Sequence, residues 1–165
     1  VVPPPWDFSI GAKKVMRISE YLNPGLVKLD LRSETKDDLF VEMVQLFVKN
    51  GLIQDADEAV RVLEEREEKM STGVGNGVGL PHGKLPGAKH SLLALGISKN
   101  GIDYDSLDGE PVYIVITIFA NPENPAQHIE VLAEISRLFA IPEFARRIRS
   151  AHSADEVLSI IAAQE

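Results

Sequence analysis

Cysteine is absent from this 165-residue chain. Its absence removes disulfides, thiolate nucleophiles and thiolate zinc sites together, and a reducing cytoplasm is the expected location. Long apolar runs are missing too. The longest, Tyr113 to Ala120, falls far short of the roughly 20 residues that a membrane-spanning helix needs. The segment Val1 to Asp7 has no basic start leading into an apolar stretch, so no secretory signal is read there. Positive charge is in deficit, with 17 Lys and Arg against 25 Asp and Glu and a formal net charge of −8. That balance argues against nucleic acid as the main partner, because such binding rests on neutralising phosphates with cationic side chains. It leaves room for a local basic patch.

What is present fits one soluble globular domain: the hydrophobic share is 44% and the charged share 25%, both ordinary for that class. Residues 1–15, with Pro3, Pro4 and Pro5, read as a tail or linker, and 16–165 as the domain. Ser33 or Thr35 can cap a helix whose apolar residues Leu39, Phe40, Met43, Val44, Phe47 and Val48 follow helical spacing, with Gly51 as its stop. A second helix is expected from about Asp57 to Lys69, its stripe on Ala59, Val60 and Leu63 continued by Arg66 and Met70. An arginine on an inward face either packs its stem and snorkels its head, or serves a site. Strands are expected over Ser91–Ser98 and Val112–Ala120, with Asn100-Gly101 as a turn signal and the second strand covered on both faces. A helix follows Asn121-Pro-Glu-Asn-Pro125 and carries His128, Val131, Leu132, Ile135, Leu138 and Phe139 inward. Pro142 suits the first turn of another, and Ser153 to Glu156 is a capping box opening the last. Strands mixed with helices between short connections give an α/β fold, with helices packed on a central sheet.

The stretch from Thr72 to Lys84, TGVGNGVGLPHGK, sets four glycines at alternate positions and then a histidine between proline and glycine. It fails the dinucleotide fingerprint, because Val78, Leu80 and His82 stand where the third glycine would be needed. It fails the P-loop pattern as well, since Leu85 follows the lysine where Ser or Thr is required. What survives is backbone control: glycine allows unusual φ and close approach, proline fixes its own φ, and together they frame His82. The plainer alternative is a glycine-rich hairpin with an incidental histidine. Of the four histidines, His90 at a strand edge and His152 in a polar turn are expected to be solvated, whereas His82 and His128 each have a reason to be positioned.

Two positioned histidines and an inward arginine admit three chemistries. A zinc site lacks ligands beyond Glu130, and an arginine would repel the cation. Acyl transfer lacks a cysteine and a G-x-S-x-G elbow. Phosphoryl transfer through a histidine nitrogen uses every unusual feature, since neutral imidazole is nucleophilic near pH 7 and arginine suits phosphoryl oxygens.

The run from Arg66 to Leu85, REEKMSTGVGNGVGLPHGKL, together with the downstream helix around His128, resembles the fructose/mannitol-type enzyme IIA domain of the bacterial phosphoenolpyruvate-dependent phosphotransferase system. Its wording is closest to the nitrogen-regulatory branch, and the resemblance covers roughly residues 16–163. The resemblance implies a single α/β domain with a mixed β-sheet flanked by α-helices. It implies that His82 is phosphorylated on Nε2 by the phosphocarrier HPr, that His128 hydrogen-bonds around the phosphoryl group and that Arg66 balances its charge. Ser71 and Thr72 are expected to help hold the phosphate, and Val74, Val78 and Leu80 to grip a docking protein. No metal, nucleotide or other cofactor is expected. The onward partner is either a IIB domain with an acceptor cysteine, or a regulated kinase, membrane transporter or transcription factor bound according to phosphorylation state.

Overall fold

The computed structural model describes residues 15–165, so the tail expected over 1–15 lies, apart from Val15, outside the described residues. Two 3-10 turns, Ile18–Tyr21 and Pro24–Leu26, lead into strand β1 (Val27–Lys28), helix α1 (Lys36–Lys49) and helix α2 (Ala56–Lys69). The strands β2 (Gly73–Gly75), β3 (Val78–Gly79), β4 (His82–Lys84), β5 (Leu92–Ile102) and β6 (Val112–Ala120) follow. Helices α3 (Pro125–Phe139), α4 (Phe144–Arg149) and α5 (Ala154–Gln164) complete the chain. No helix among the described residues is long and apolar enough to cross a membrane.

The helix starts follow from their caps. Thr35 rather than Ser33 caps α1, accepting from Asp38 N–H, and Asp55 caps α2 through Glu58 N–H. Asn124 caps α3 through Gln127 N–H, with Pro125 in the first turn where its missing N–H costs nothing. Ser153 caps α5 through Glu156 N–H, but the Glu156 carboxylate reaches back to His152 N–H rather than to that of Ser153. The helix expected to open at Pro142 starts later, at Phe144, because Glu143 before it is left-handed with φ 71°. Ser33, free of capping, donates its hydroxyl to Glu42 at 2.7 Å. The same carboxylate accepts from Lys28 Nζ and from the N–H groups of Arg32 and Ser33, so one side chain of α1 ties down the loop after β1.

Five strands pair in the order β1-β5-β6-β3-β2, and β4 joins on the β3 side of β6. The sheet is mixed: β1 lies parallel to β5, β3 and β4 parallel to β6, and the β5–β6 and β2–β3 pairs are antiparallel. With helices packed around this sheet the molecule is a single α/β domain. Strand β6 is buried from Ile114 to Ala120, the continuous apolar pattern of a strand covered on both faces. The expected turn at Asn100-Gly101 is instead an irregularity inside β5, where Gly101 has φ 87° and donates its N–H to Ser98 Oγ. The strand continues because Ile102, wholly buried, pairs with Val112. The chain reverses later, through Asp105 and Gly109, both at positive φ. The tight hairpin lies at the other Asn-Gly pair: Asn76 (φ 56°) and Gly77 (φ 78°) link β2 to β3 with the two positive φ values of a type I′ turn.

The pairing on β6 decides where the framed histidine points. Val78 pairs with Ile114, Gly79 with Val115 and His82 with Ile118 in one continuous register, so β3 and β4 are two parts of one extended segment. The interruption falls at Pro81, which has no N–H to donate but whose carbonyl accepts from Ile118. Gly83 faces α2 so closely that a Cβ there would lie 2.3 Å from Val62 Cγ1 and 3.2 Å from the Val62 carbonyl oxygen. Alternation along the strand then turns His82 away from that contact.

Two measurements check this account. Gly83→Ala is expected to destabilise the fold by about 1–3 kcal/mol through overpacking against Val62, read from urea unfolding, with partial recovery when Val62→Ala is added. An equal loss in both variants would show that the contact is not the cause. Burial opposes the charge of Glu42, but the Lys28 ammonium, the Ser33 hydroxyl and the two backbone N–H groups outweigh it and hold its carboxyl at about 2 against an ordinary 4.5. Because the folded value is depressed, this stabilisation is full above the ordinary value and is lost as pH falls towards the folded one. The stability gap between the native chain and Glu42→Gln should therefore narrow between about pH 6 and about pH 3, and a gap that stayed constant would remove Glu42 as an acid-sensitive tie.

Candidate functional site

His82 sits half-buried on β4, and its Nδ1 lies 2.7 Å from the Leu80 carbonyl oxygen, two residues back along the chain. A carbonyl can only accept, so Nδ1 carries the hydrogen and Nε2 keeps an unprotonated lone pair. Helix α3 brings His128 alongside, with ring centroids 5.4 Å apart and the planes tilted by 45°. Helix α2 contributes Arg66, which lines the same cavity of about 390 Å³. The Arg66 guanidinium is steadied by donating Nη1–H to the Met70 carbonyl at 3.0 Å, so it also closes the end of α2. Met70 does not continue the buried stripe as expected: its backbone is extended and its side chain exposed.

Three of the five residues singled out in the sequence thus meet around one cavity, and two do not. Ser71 accepts from Gly73 N–H in its own turn. Thr72, 3% exposed, donates its hydroxyl to Glu67 Oε2 at 2.5 Å and its N–H to Oε1 at 2.9 Å. Since the Thr72 hydroxyl proton goes to Glu67, the 2.6 Å contact with the Tyr104 hydroxyl has tyrosine as donor. Burial, and next the nearby Glu67 charge, push the Tyr104 phenol far above its usual range, so it stays a donor. Lys36 completes the group with an ion pair to Glu67 at 3.1 Å. Thr72 is therefore a clamp between α2 and the glycine hairpin rather than a lining residue. Of the apolar residues expected to grip a docking protein, only Val74 is outward, 54% exposed, whereas Val78 and Leu80 belong to the core. His90 and His152 are exposed and line no part of this cavity.

Sequence reasoning passed over Lys69 and Lys84, which bring two more cations to the cavity beside Glu65. The signals were there: Lys69 lies three residues after Arg66 on one helical face, and Lys84 two residues after His82 on one strand face. Among the described residues no group of three or more His, Asp or Glu side chains is placed to hold a metal ion. The electrostatics favour neutral imidazoles. Burial lowers the His82 pKa below its ordinary 6.5, the Leu80 carbonyl opposes this, Arg66 lowers it further and Glu67 raises it. Burial likewise lowers His128, reinforced by His82 and Lys84. A neutral nucleophilic nitrogen beside a cluster of cations is suited to accepting a group that carries negative charge.

The sequence profile of the family described as "Phosphoenolpyruvate-dependent sugar phosphotransferase system, EIIA 2" matches residues 20–164. The chain is 34% identical to the PTS system fructose-specific EIIABC component of Bacillus subtilis, over 88% of its own length and 23% of that protein's. It is 31% identical to a nitrogen regulatory protein homolog of Haemophilus influenzae, over 88% of its own length and 90% of the relative's. The crystal structure of nitrogen regulatory protein IIA-Ntr from Neisseria meningitidis superposes with a TM-score of 0.81 at 28% identity, covering 87% of this chain and 98% of that one.

The charge arrangement has a measurable consequence. In a proton NMR titration His82 should titrate below 6.5, and Arg66→Ala should move its midpoint upward by removing a positive neighbour. An unchanged or lower midpoint would mean that Arg66 does not act on the ring. Both histidines are depressed on folding, so the stabilisation linked to them is full above pH 6.5 and is lost as pH falls through their folded values.

Proposed function

The chain belongs to the EIIA 2 family of the phosphoenolpyruvate-dependent sugar phosphotransferase system, and from that premise we propose that it is a phosphohistidine switch. Its His82 takes a phosphoryl group from an HPr-type carrier, and its phosphorylation state controls a partner protein. Membership of the family implies a phosphohistidine-carrier mechanism; the residues in it and its output are our reading. The observation that carries it is the 2.7 Å bond from His82 Nδ1–H to the Leu80 carbonyl, which leaves Nε2 as the nucleophile.

The step is an in-line displacement at phosphorus. The Nε2 lone pair forms the new N–P bond while the donor's P–N bond breaks and its electron pair returns to the donor nitrogen. Nδ1–H stays on the Leu80 carbonyl, which offsets the positive charge that develops on the ring. Arg66 holds equatorial oxygens through its fork of donors. The Nδ1 of His128 is buried with no hydrogen-bond partner among the described residues, and on this reading the neutral ring keeps its hydrogen on Nε2 and donates it to the phosphoryl group. Ser71 and Thr72, expected at first to bind phosphate, enter this scheme only through the hairpin that they brace. We assign residues 16–165 as the working unit and 1–15 as a tail or linker.

A regulatory output is supported by the likeness to two nitrogen regulatory relatives, that of Haemophilus influenzae, matched over 90% of its length, and that of Neisseria meningitidis, whose structure is covered over 98% of its chain. A sugar route has its own support in the identity with the fructose-specific component, of which this chain spans 23%. On that route the acceptor cysteine must lie elsewhere, because this chain has none.

Intact-mass analysis after incubation with phosphoenolpyruvate, enzyme I and HPr tests the carrier. We expect an acid-labile gain of one phosphoryl group that His82→Ala abolishes and Arg66→Ala slows by about 10²-fold. His128→Ala should still accept the group but pass it back poorly. No gain in the native chain, with a control acceptor working in the same mixture, would sink the carrier. Discharge of the phosphorylated chain by a IIB domain, with no partner bound stably by either state, would replace the switch with the sugar route.

A further inference from the structure

At the far end of the sheet from His82, the turn of the glycine hairpin, β5 beside its irregularity and helix α4 border a second, solvent-open cavity of about 350 Å³. Asn76, Ser98, Lys99, Arg146, Arg149 and Ser150 supply its polar lining. The two sites are served by opposite ends of β6: Ile97, in the cavity wall, pairs with Ile114, and His82 pairs with Ile118. That places them roughly 13 Å apart along the strand.

Its charge runs against that of the molecule. The chain carries a formal −8, yet this cavity gathers three cations and no carboxylate lines it among the described residues. Lys99 and Arg149 form no ion pair among the described residues; Asp30 and Glu34 stand in the neighbouring cleft that Lys99 also borders. Only Arg146 is paired, with Glu143 three residues before it. The Arg149 guanidinium lies 3.8 Å from the Tyr113 ring centroid, which occupies one of its faces and leaves the N–H groups in its plane free to donate. Two glycines lie close to that ring. A Cβ at Gly77 would come within 3.2 Å of the Tyr113 ring and one at Gly101 within 3.0 Å, so the ring packs on two bare backbone segments. Ser98 accepts from Gly101 N–H, which leaves its own hydroxyl proton to donate.

From this arrangement we propose that the cavity binds a small phosphate-bearing molecule. A preorganised planar guanidinium beside a lysine, a second arginine and hydroxyl donors matches the oxygens of a phosphate, and the volume exceeds what one bare phosphate fills. The site is separate from His82 and does not depend on its chemistry. Because the wall includes Asn76, the ligand touches the hairpin whose β3 strand runs in continuous register into β4 and His82.

Inorganic pyrophosphate is the probe, titrated into the full chain at about 0.15 M salt while backbone amide shifts are followed, to keep weak surface attraction screened. Saturable shifts at Asn76, Lys99, Arg149 and Ser150 are expected. Lys99→Gln and Arg149→Lys should each weaken the response by about threefold to tenfold, the second because an ammonium keeps the charge but lacks the fork. His82→Ala should leave it unchanged. The proposal is overturned by the absence of saturation at this cavity, by equal affinity in Arg149→Lys, or by shifts confined to the cations around His82. The amide spectrum of each variant also reports whether it is folded.

Discussion

Pairing of the Val78–Lys84 segment along β6 is the constraint on which the rest of this molecule depends. A strand places successive side chains on opposite faces, so a slip of one residue would exchange the positions of His82 and Gly83. In the observed register Gly83 takes the close contact with Val62 of α2, and His82 turns towards α3 and His128. Strand β6 can impose that register because it is buried along nearly its whole length, with β5 fixed to its other edge from Leu92 to Ile102. Glycine here serves the approach of a helix as much as that of any ligand.

The site's electrostatics follow from the same placement. Half-burial holds two imidazoles neutral, and cations from α2 and β4 keep them so. The cavity therefore combines a nucleophile with a positive surround, an arrangement that tolerates an incoming phosphoryl group better than a proton. The buried group of Lys36, Glu67, Thr72 and Tyr104 serves this indirectly. By tying the end of α2 to the start of the hairpin it keeps the helix bearing Arg66 and the segment bearing His82 in one relation.

Some of this was legible along the chain and some was not. The apolar stripes of α1 and α3 and the cap at Ser153 stand in the sequence, as does Thr35 as one of two candidates for the cap of α1, because helix formation and capping are decided within a few residues. The two Asn-Gly pairs look alike locally, yet Asn76-Gly77 makes the hairpin and Asn100-Gly101 an irregularity within a strand. The difference comes from Ile102, whose burial against Val112 holds β5 together past the glycine, and no local signal carries that pairing. Thr72 read as a phosphate ligand because it borders the glycine run; only its contacts with Glu67 and Tyr104 show that its donors are already used.

By itself the sequence determined the α/β class, the apolar stripes of α1 and α3, the frame around His82 and the likeness that placed the chain in its family. Tertiary structure decided which groups share a cavity: that Lys69 and Lys84 join Arg66, that Val78 and Leu80 turn inward, and that Arg149 stacks on Tyr113 over two glycines. The division is physical. Backbone preference and side-chain periodicity act between near neighbours, whereas a site is assembled from residues as distant along the chain as Arg66 and His128, and their meeting is set by the packing of whole elements on β6.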